Sequence, residues 1–271
     1  MRTRLILALV IAALFLMAVP LAGAQQSQPS TAAVAPQQIR RAEPPPADAT
    51  VAQLEQRADE LRAEKAYADS LDYYRAALRK EPGNAVLYNK AGIPELLLAR
   101  YKDARKDFER AIKLDPKYAD AYNNLGVAYY GEANYKKAIK NYLKALSLRE
   151  DSASFHSNLG TAYFERKEVE LASKEYLRAL ELDPDIFERL TTAGFTAHVP
   201  GPSERAHFSY VIAKMYAQVG NTDRCLLYLR KAKDDRYEKM ADVYKEDVFA
   251  QVRKDPRFAD LMGDKNGPVQ Q

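Results

Sequence analysis

The chain has 271 residues, room for one or two domains. Hydrophobic residues make up 47% and charged residues 29%, which excludes a fully disordered chain and a multi-span membrane protein. A net charge of +4 is too small an excess for a dedicated nucleic-acid binder, and a single cysteine leaves neither an internal disulfide nor a cysteine-based zinc site.

The first 24 residues read as an address. Arg2 and Arg4 precede an unbroken apolar run from Leu5 to Leu16. Pro20 then breaks any helix, and Ala22-Gly23-Ala24 sets small residues where a signal peptidase cuts, between Ala24 and Gln25. The expected location is therefore export, to the periplasm. The alternative is an uncleaved inner-membrane anchor through residues 5–24, just long enough to span a bilayer. No cysteine follows the run, so lipoprotein processing is not expected. Residues 25–50 are rich in Gln, Ala and Pro without apolar periodicity, the composition of a disordered linker, with Pro44-Pro45-Pro46 locally stiff.

From Val51 the sequence repeats every 34 residues. Four units are expected at 51–84, 85–118, 119–152 and 153–186. Their eighth positions are Ala58, Gly92, Gly126 and Gly160, and their twentieth Ser70, Ala104, Ala138 and Ala172. The twenty-fourth are Tyr74, Phe108, Tyr142 and Tyr176, and the twenty-seventh Ala77, Ala111, Ala145 and Ala179. Pro82, Pro116 and Pro184 close three units, with Glu150 in the same place in the other. Each unit predicts two short amphipathic helices. Small residues let them approach, the aromatic fills the groove toward the next unit, and proline ends the second helix. One unit cannot cover its own apolar face, so the units must stack. Pro94, inside the first helix of the second unit, predicts a kink.

Residues 187–205 break the register with Gly194 and Pro200-Gly201-Pro202 and read as an inserted loop. The register returns in a degenerate fifth unit at 206–239, where Ala213 takes the eighth position, Cys225 the twentieth and Ala232 the twenty-seventh. A helical cap is expected over 240–263. Asp255-Pro256 supplies a helix start, and Phe249, Val252, Phe258 and Leu261 cover the end of the array. Residues 264–271 read as a disordered tail.

The segments YNNLGVAYY and HSNLGTAYF resemble the first helix of the tetratricopeptide repeat, and YKDARKDFERAIKLDP and ELASKEYLRALELDP resemble its second. The resemblance runs without gaps from Val51 to Ile186 and implies an all-α fold, a right-handed superhelical solenoid. It also implies that first helices line a concave groove holding peptides or extended segments of partner proteins. Mapped onto this chain, the groove positions give Asn89, Lys90, Asn123, Asn124, Tyr130, Asn158 and Phe164. Asparagine both donates and accepts, so Asn124 and Asn158 suit an extended backbone, while Tyr130 and Phe164 offer apolar anchors. Inter-helix bonding is the other use of asparagine here. The carboxylate clamp of chaperone-binding relatives uses Lys or Arg where this chain has Asp120, Asn123 and Asn124. Lys90 and Lys214 are the groove-facing cations.

Catalytic motifs are missing from the sequence: no H-E-x-x-H, phosphate-binding loop or G-x-S-x-G elbow occurs. His156 falls on a core-facing position, and His198 and His207 have no ligand-spaced carboxylate or thiol beside them, so neither metal nor cofactor is expected. Cys225 sits in a small buried slot and reads as inert. Lys136, Lys137, Lys140 and Lys144, with Arg105, Lys106, Arg110 and Lys113, fall on the outer helices as a solvated face. The reading is a non-catalytic protein-interaction scaffold of the bacterial envelope, with no nucleic acid and with membrane contact only if the leader is retained. Its alternatives are a module for cell-wall glycan and an accessory subunit of an envelope enzyme or secretion complex. Homo-oligomerisation is left open.

Overall fold

The computed structural model describes residues 42–188 and 202–263. The leader with its Ala24–Gln25 cleavage position, linker residues 25–41, insertion residues 189–201 with His198, and the tail from 264 lie outside the described residues.

The described chain is helical. Four helix pairs come first: α1 (Val51–Ala63) with α2 (Tyr67–Lys80), α3 (Ala85–Leu97) with α4 (Tyr101–Leu114), α5 (Ala119–Gly131) with α6 (Tyr135–Leu148), and α7 (Ala153–Glu165) with α8 (Val169–Leu182). A fifth pair follows, α9 (Pro202–Gln218) and α10 (Thr222–Asp234). Three short 3₁₀ turns between Met240 and Lys254 lead to α11 (Pro256–Met262).

One turn joins the two helices of every pair. Lys65, Ala99, Ala133, Lys167 and Gly220, each at the fifteenth position of its unit, are left-handed with φ between 56° and 73°. The next residue then reaches back five: Ala66 N–H donates to Leu61 O, Arg100 to Glu95, Asn134 to Tyr129, Glu168 to Tyr163 and Asn221 to Tyr216. Each first helix thus ends in a Schellman motif that satisfies its orphan carbonyls. Four of the five turns hold a side chain in a region that suits glycine, a strain of roughly 1–2 kcal/mol each.

The helices of a pair are held together by their small and aromatic residues. A β-carbon added at Gly92 would lie 2.5 Å from Phe108 Cε1, one at Gly126 2.5 Å from Tyr142 Cε1, and one at Gly160 2.7 Å from Tyr176 Cδ1. The aromatic therefore seats first on the glycine of its own unit, and only its far side meets the next: Tyr176 packs edge-on against Phe187 and Phe208 at 5.4 and 5.8 Å. The alanines at the twenty-seventh position are fully buried, and in the first four units each accepts at its carbonyl from the N–H four residues on, as at Ala77 from Glu81.

The structure corrects two readings. Residues 42–50 are docked against α2: Tyr73 O–H donates to Glu43 O, and the Lys80 ammonium donates to Ala47 O and Ala49 O. A proline-rich strip has carbonyls to offer and few N–H groups, so it takes donors from the repeat. The insertion is shorter than 187–205. Phe187 and Glu188 are helical, with Phe187 buried against Tyr176 and Tyr216, and Pro202 opens α9 one turn before the repeat register resumes. Helix α3 runs through Pro94 for three further residues, its end tied by Leu98 N–H to Pro94 O.

Phe249, Val252, Phe258 and Leu261 are buried on the fifth pair, sharing one cluster with Tyr176, Tyr216 and Leu229. Asp255 caps α11 by accepting from Arg257 N–H, Pro256 takes the first turn, and left-handed Gly263 ends it.

Candidate functional site

First helices face one another and second helices do not. Helix α3 packs on α5 and α5 on α7, whereas successive second helices make no comparable approach among the described residues. The first helices therefore form the inside of the curve. An asparagine ladder runs along it. Asn158 Nδ2 donates to Asn123 Oδ1 (2.9 Å), Asn123 Nδ2 to Asn124 Oδ1 (3.2 Å), Asn124 Nδ2 to Asn89 Oδ1 (3.0 Å), and Asn89 Nδ2 to Tyr118 Oη (3.2 Å). Three units are sewn together by the amides read from sequence as partner contacts. Asn89 and Asn123 are buried, and Asn124 and Asn158, partly exposed, each use one amide N–H within the protein.

Two more groove assignments change. Lys90 is held by Glu55 Oε1 at 2.6 Å and Asp59 Oδ2 at 2.7 Å, both on the preceding first helix. It is a cross-unit tie and not a free cation; the neighbouring carboxylates more than offset burial and raise its pKa. Phe164 is only 2% exposed: His207 and Phe208 of α9 stand at 5.1 and 5.6 Å from its ring and close over it. His207 and Phe208 are the second and third residues of the fifth unit.

At the fifth unit the chain fills its own groove. Tyr210 is stacked on Tyr237 at 4.5 Å and donates to Glu246 Oε1, and Lys214 pairs with Glu246 Oε2. Both expected groove-facing cations are thus neutralised. Surface is left further back, at Val86 (45% exposed) and at partly exposed Tyr130 and Glu165. Glu165, the last residue of α7, went unnamed in the sequence reading. Its signal was present: it holds the thirteenth position, a groove position, where the preceding units carry Leu97 and Gly131.

Among the described residues no group of three His, Cys, Asp or Glu side chains is placed to hold a metal ion. His156 is satisfied on both sides, Nδ1 to Glu175 Oε2 at 2.6 Å and Nε2 to Glu150 O at 2.9 Å. Burial lowers the pKa of His207, aided by Lys167, Lys239 and Lys214. No described helix is long and apolar enough to cross a membrane. On the outer helices Lys136, Lys137, Lys140 and Lys144 are exposed, with Lys137 and Lys144 leaning over the Tyr129 and Tyr122 rings at 5.1 and 5.8 Å.

Cys225 is fully buried, and burial pushes its thiol up to about 12. The thiolate that would attack a disulfide reagent is then scarce at neutral pH. A thiol-reactive chromogenic disulfide is expected to leave the native chain unlabelled and to react stoichiometrically in denaturant. Rapid labelling of the native chain would contradict the packing role.

The comparisons agree with this architecture. A family model described as TPR repeat matches residues 99–132 and 134–165, and one described as tetratricopeptide repeat matches 153–186. Of solved structures, TTC0263, a thermophilic TPR protein of Thermus thermophilus, is similar at a TM-score of 0.50 and 19% identity. It covers 79% of this chain and 99% of its own. The MamA protein is similar at 0.47 and 19%, covering 73% and 95%, and the Sgt2 TPR domain of Aspergillus fumigatus at 0.43 and 26%, covering 48% and 87%. No curated protein matches. Residues 99–186 are tetratricopeptide repeats, and the described helix pairs before and after them repeat the same two-helix fold.

Proposed function

We propose that this chain is an exported, non-catalytic scaffold of the bacterial cell envelope that docks an extended segment of a partner protein along its first-helix face. The observation that carries the docking is the continuous inner surface formed by α3, α5 and α7. There the ladder spends the buried amides on rigidity, while Val86, Tyr130 and Glu165 keep solvent-facing area. A preorganised concave surface binds without first ordering itself, which lowers the cost of association. The envelope location rests on the leader-like residues 1–24.

Photo-crosslinking amino acids placed singly at Val86 and Ser154, both exposed on first helices, and at Lys106 and Leu143, both exposed on second helices, test the docking face. Irradiation in the source cells is expected to give the same adduct from both first-helix positions and none from the second-helix ones. Adducts confined to Lys106 or Leu143 would move the partner to the outer face. Fractionation of the same cells tests the location.

A further inference from the structure

We propose that Glu165, with Tyr130 and Tyr135, forms a seat for an arginine or lysine side chain of the docked segment. This deepens the groove reading and rests on it.

Three elements converge here: Tyr130 near the end of α5, Tyr135 opening α6, and Glu165 ending α7. The two tyrosine rings stand 5.3 Å apart and tilted by 54°. Glu165 Oε1 and the Tyr130 hydroxyl are both sealed from solvent without a well-formed hydrogen bond. The phenols of Tyr130 and Tyr135 draw the Glu165 carboxyl toward ionisation, but burial outweighs them and holds its pKa above the usual value. Glu204 adds a second negative charge nearby. Lys167 draws the carboxyl toward ionisation more strongly than Glu204 opposes it, without forming an ion pair with Glu165.

Four other carboxylates near this face are paired. Glu55 and Asp59 share Lys90, Asp120 holds Arg149 through Nη2 at 2.5 Å, and Glu246 holds Lys214. Glu165 has no such counter-ion among the described residues. A half-buried carboxylate without one is costly, and a cation delivered by the partner removes that cost. The flanking rings add a second attraction, because an aromatic face draws a guanidinium or ammonium through its quadrupole. A planar guanidinium can donate to the open carboxylate oxygen and stack on an aromatic face at once, so arginine should outrank lysine.

The probes are capped pentapeptides, Ala-Ala-Arg-Ala-Ala and Ala-Ala-Gln-Ala-Ala, titrated into the full chain carrying isotope-labelled tyrosine and read by NMR. The arginine peptide is expected to shift the Tyr130 and Tyr135 ring signals saturably in the millimolar range. The glutamine peptide should bind at least about tenfold more weakly, a difference of about 1.4 kcal/mol. Glu165→Gln should abolish the preference while leaving the circular dichroism spectrum unchanged, and Glu165→Lys should transfer it to a glutamate-centred peptide. Equal binding of the two probes, or an arginine preference surviving in Glu165→Gln, would overturn the seat. No saturable shift would overturn it too; if first-helix crosslinks persisted, the groove reading would stand without it, and loss of both would remove the groove as well.

Discussion

Alanine at Gly92 should destabilise the wild-type chain and stabilise the Phe108→Ala chain. The two residues share one volume. Phe108 is fully buried, and the β-carbon of an alanine at 92 would lie 2.5 to 2.9 Å from three atoms of its ring. Removing the ring alone costs about 3–5 kcal/mol, the transfer term plus the cavity. Adding the methyl alone costs about 1–3 kcal/mol of overpacking, softened by roughly 1 kcal/mol because alanine is the better helix former. With the ring gone, the same methyl fills part of the void and keeps its helical advantage, so its effect changes sign. A double-mutant cycle of urea melts measures this coupling. Additive effects would mean that the glycine at the eighth position is not there to receive the aromatic. The same argument applies at Gly126 with Tyr142 and at Gly160 with Tyr176.

Arg75→Ala should cost about 2–3 kcal/mol at neutral pH, less than the 3–5 of a wholly buried pair because the arginine is 35% exposed. Its guanidinium on α2 donates to both oxygens of Asp107 on α4, at 2.7 and 2.6 Å, and lies 3.7 Å from Glu95 of α3. Both carboxylates are buried. Desolvation raises the pKa of Asp107 and of Glu95 above their ordinary values, with Arg75 pulling both back. A carboxyl whose folded pKa is raised weakens the fold above that pKa, and the penalty fades as pH falls through it. Losing Arg75 raises Asp107 further. The gap between wild type and variant should therefore be widest at neutral pH and narrow in mild acid. A gap that widened on acidification would mean that Arg75 does not lower the pKa of these carboxylates, and would contradict the ion pair.

The spacing of small, aromatic and proline residues located ten helices because helix packing in a repeat is local: each unit restates the same contacts at the same interval. What escaped the sequence was whatever crosses units. Asn124 meets Asn89, and Asn158 meets Asn123, each 35 residues back, and Lys90 meets Glu55 and Asp59 at 35 and 31 residues. Nothing local in the sequence distinguishes such an amide from one that waits for a partner. Phe164 was misplaced for a related reason. Its cover, His207 and Phe208, comes from α9, more than forty residues further along the chain. Residues 42–50 look like linker by composition, and their docking is decided by donors on Tyr73 and Lys80, some thirty residues later.

The asparagine ladder has a mechanical consequence. It lies along the inner edge of a curved stack, where opening the curve separates neighbouring helices most. Its bonds would stretch first if the solenoid straightened, so it acts as a tendon fixing the bend across α3, α5 and α7. Each link adds to the nearest-neighbour coupling that makes stacked repeats unfold together. At the first unit that role passes to the Lys90 ion pairs, which salt screens and the amides ignore. The curvature of the array is accordingly stiff in its centre, and rising ionic strength loosens the tie between the first two units.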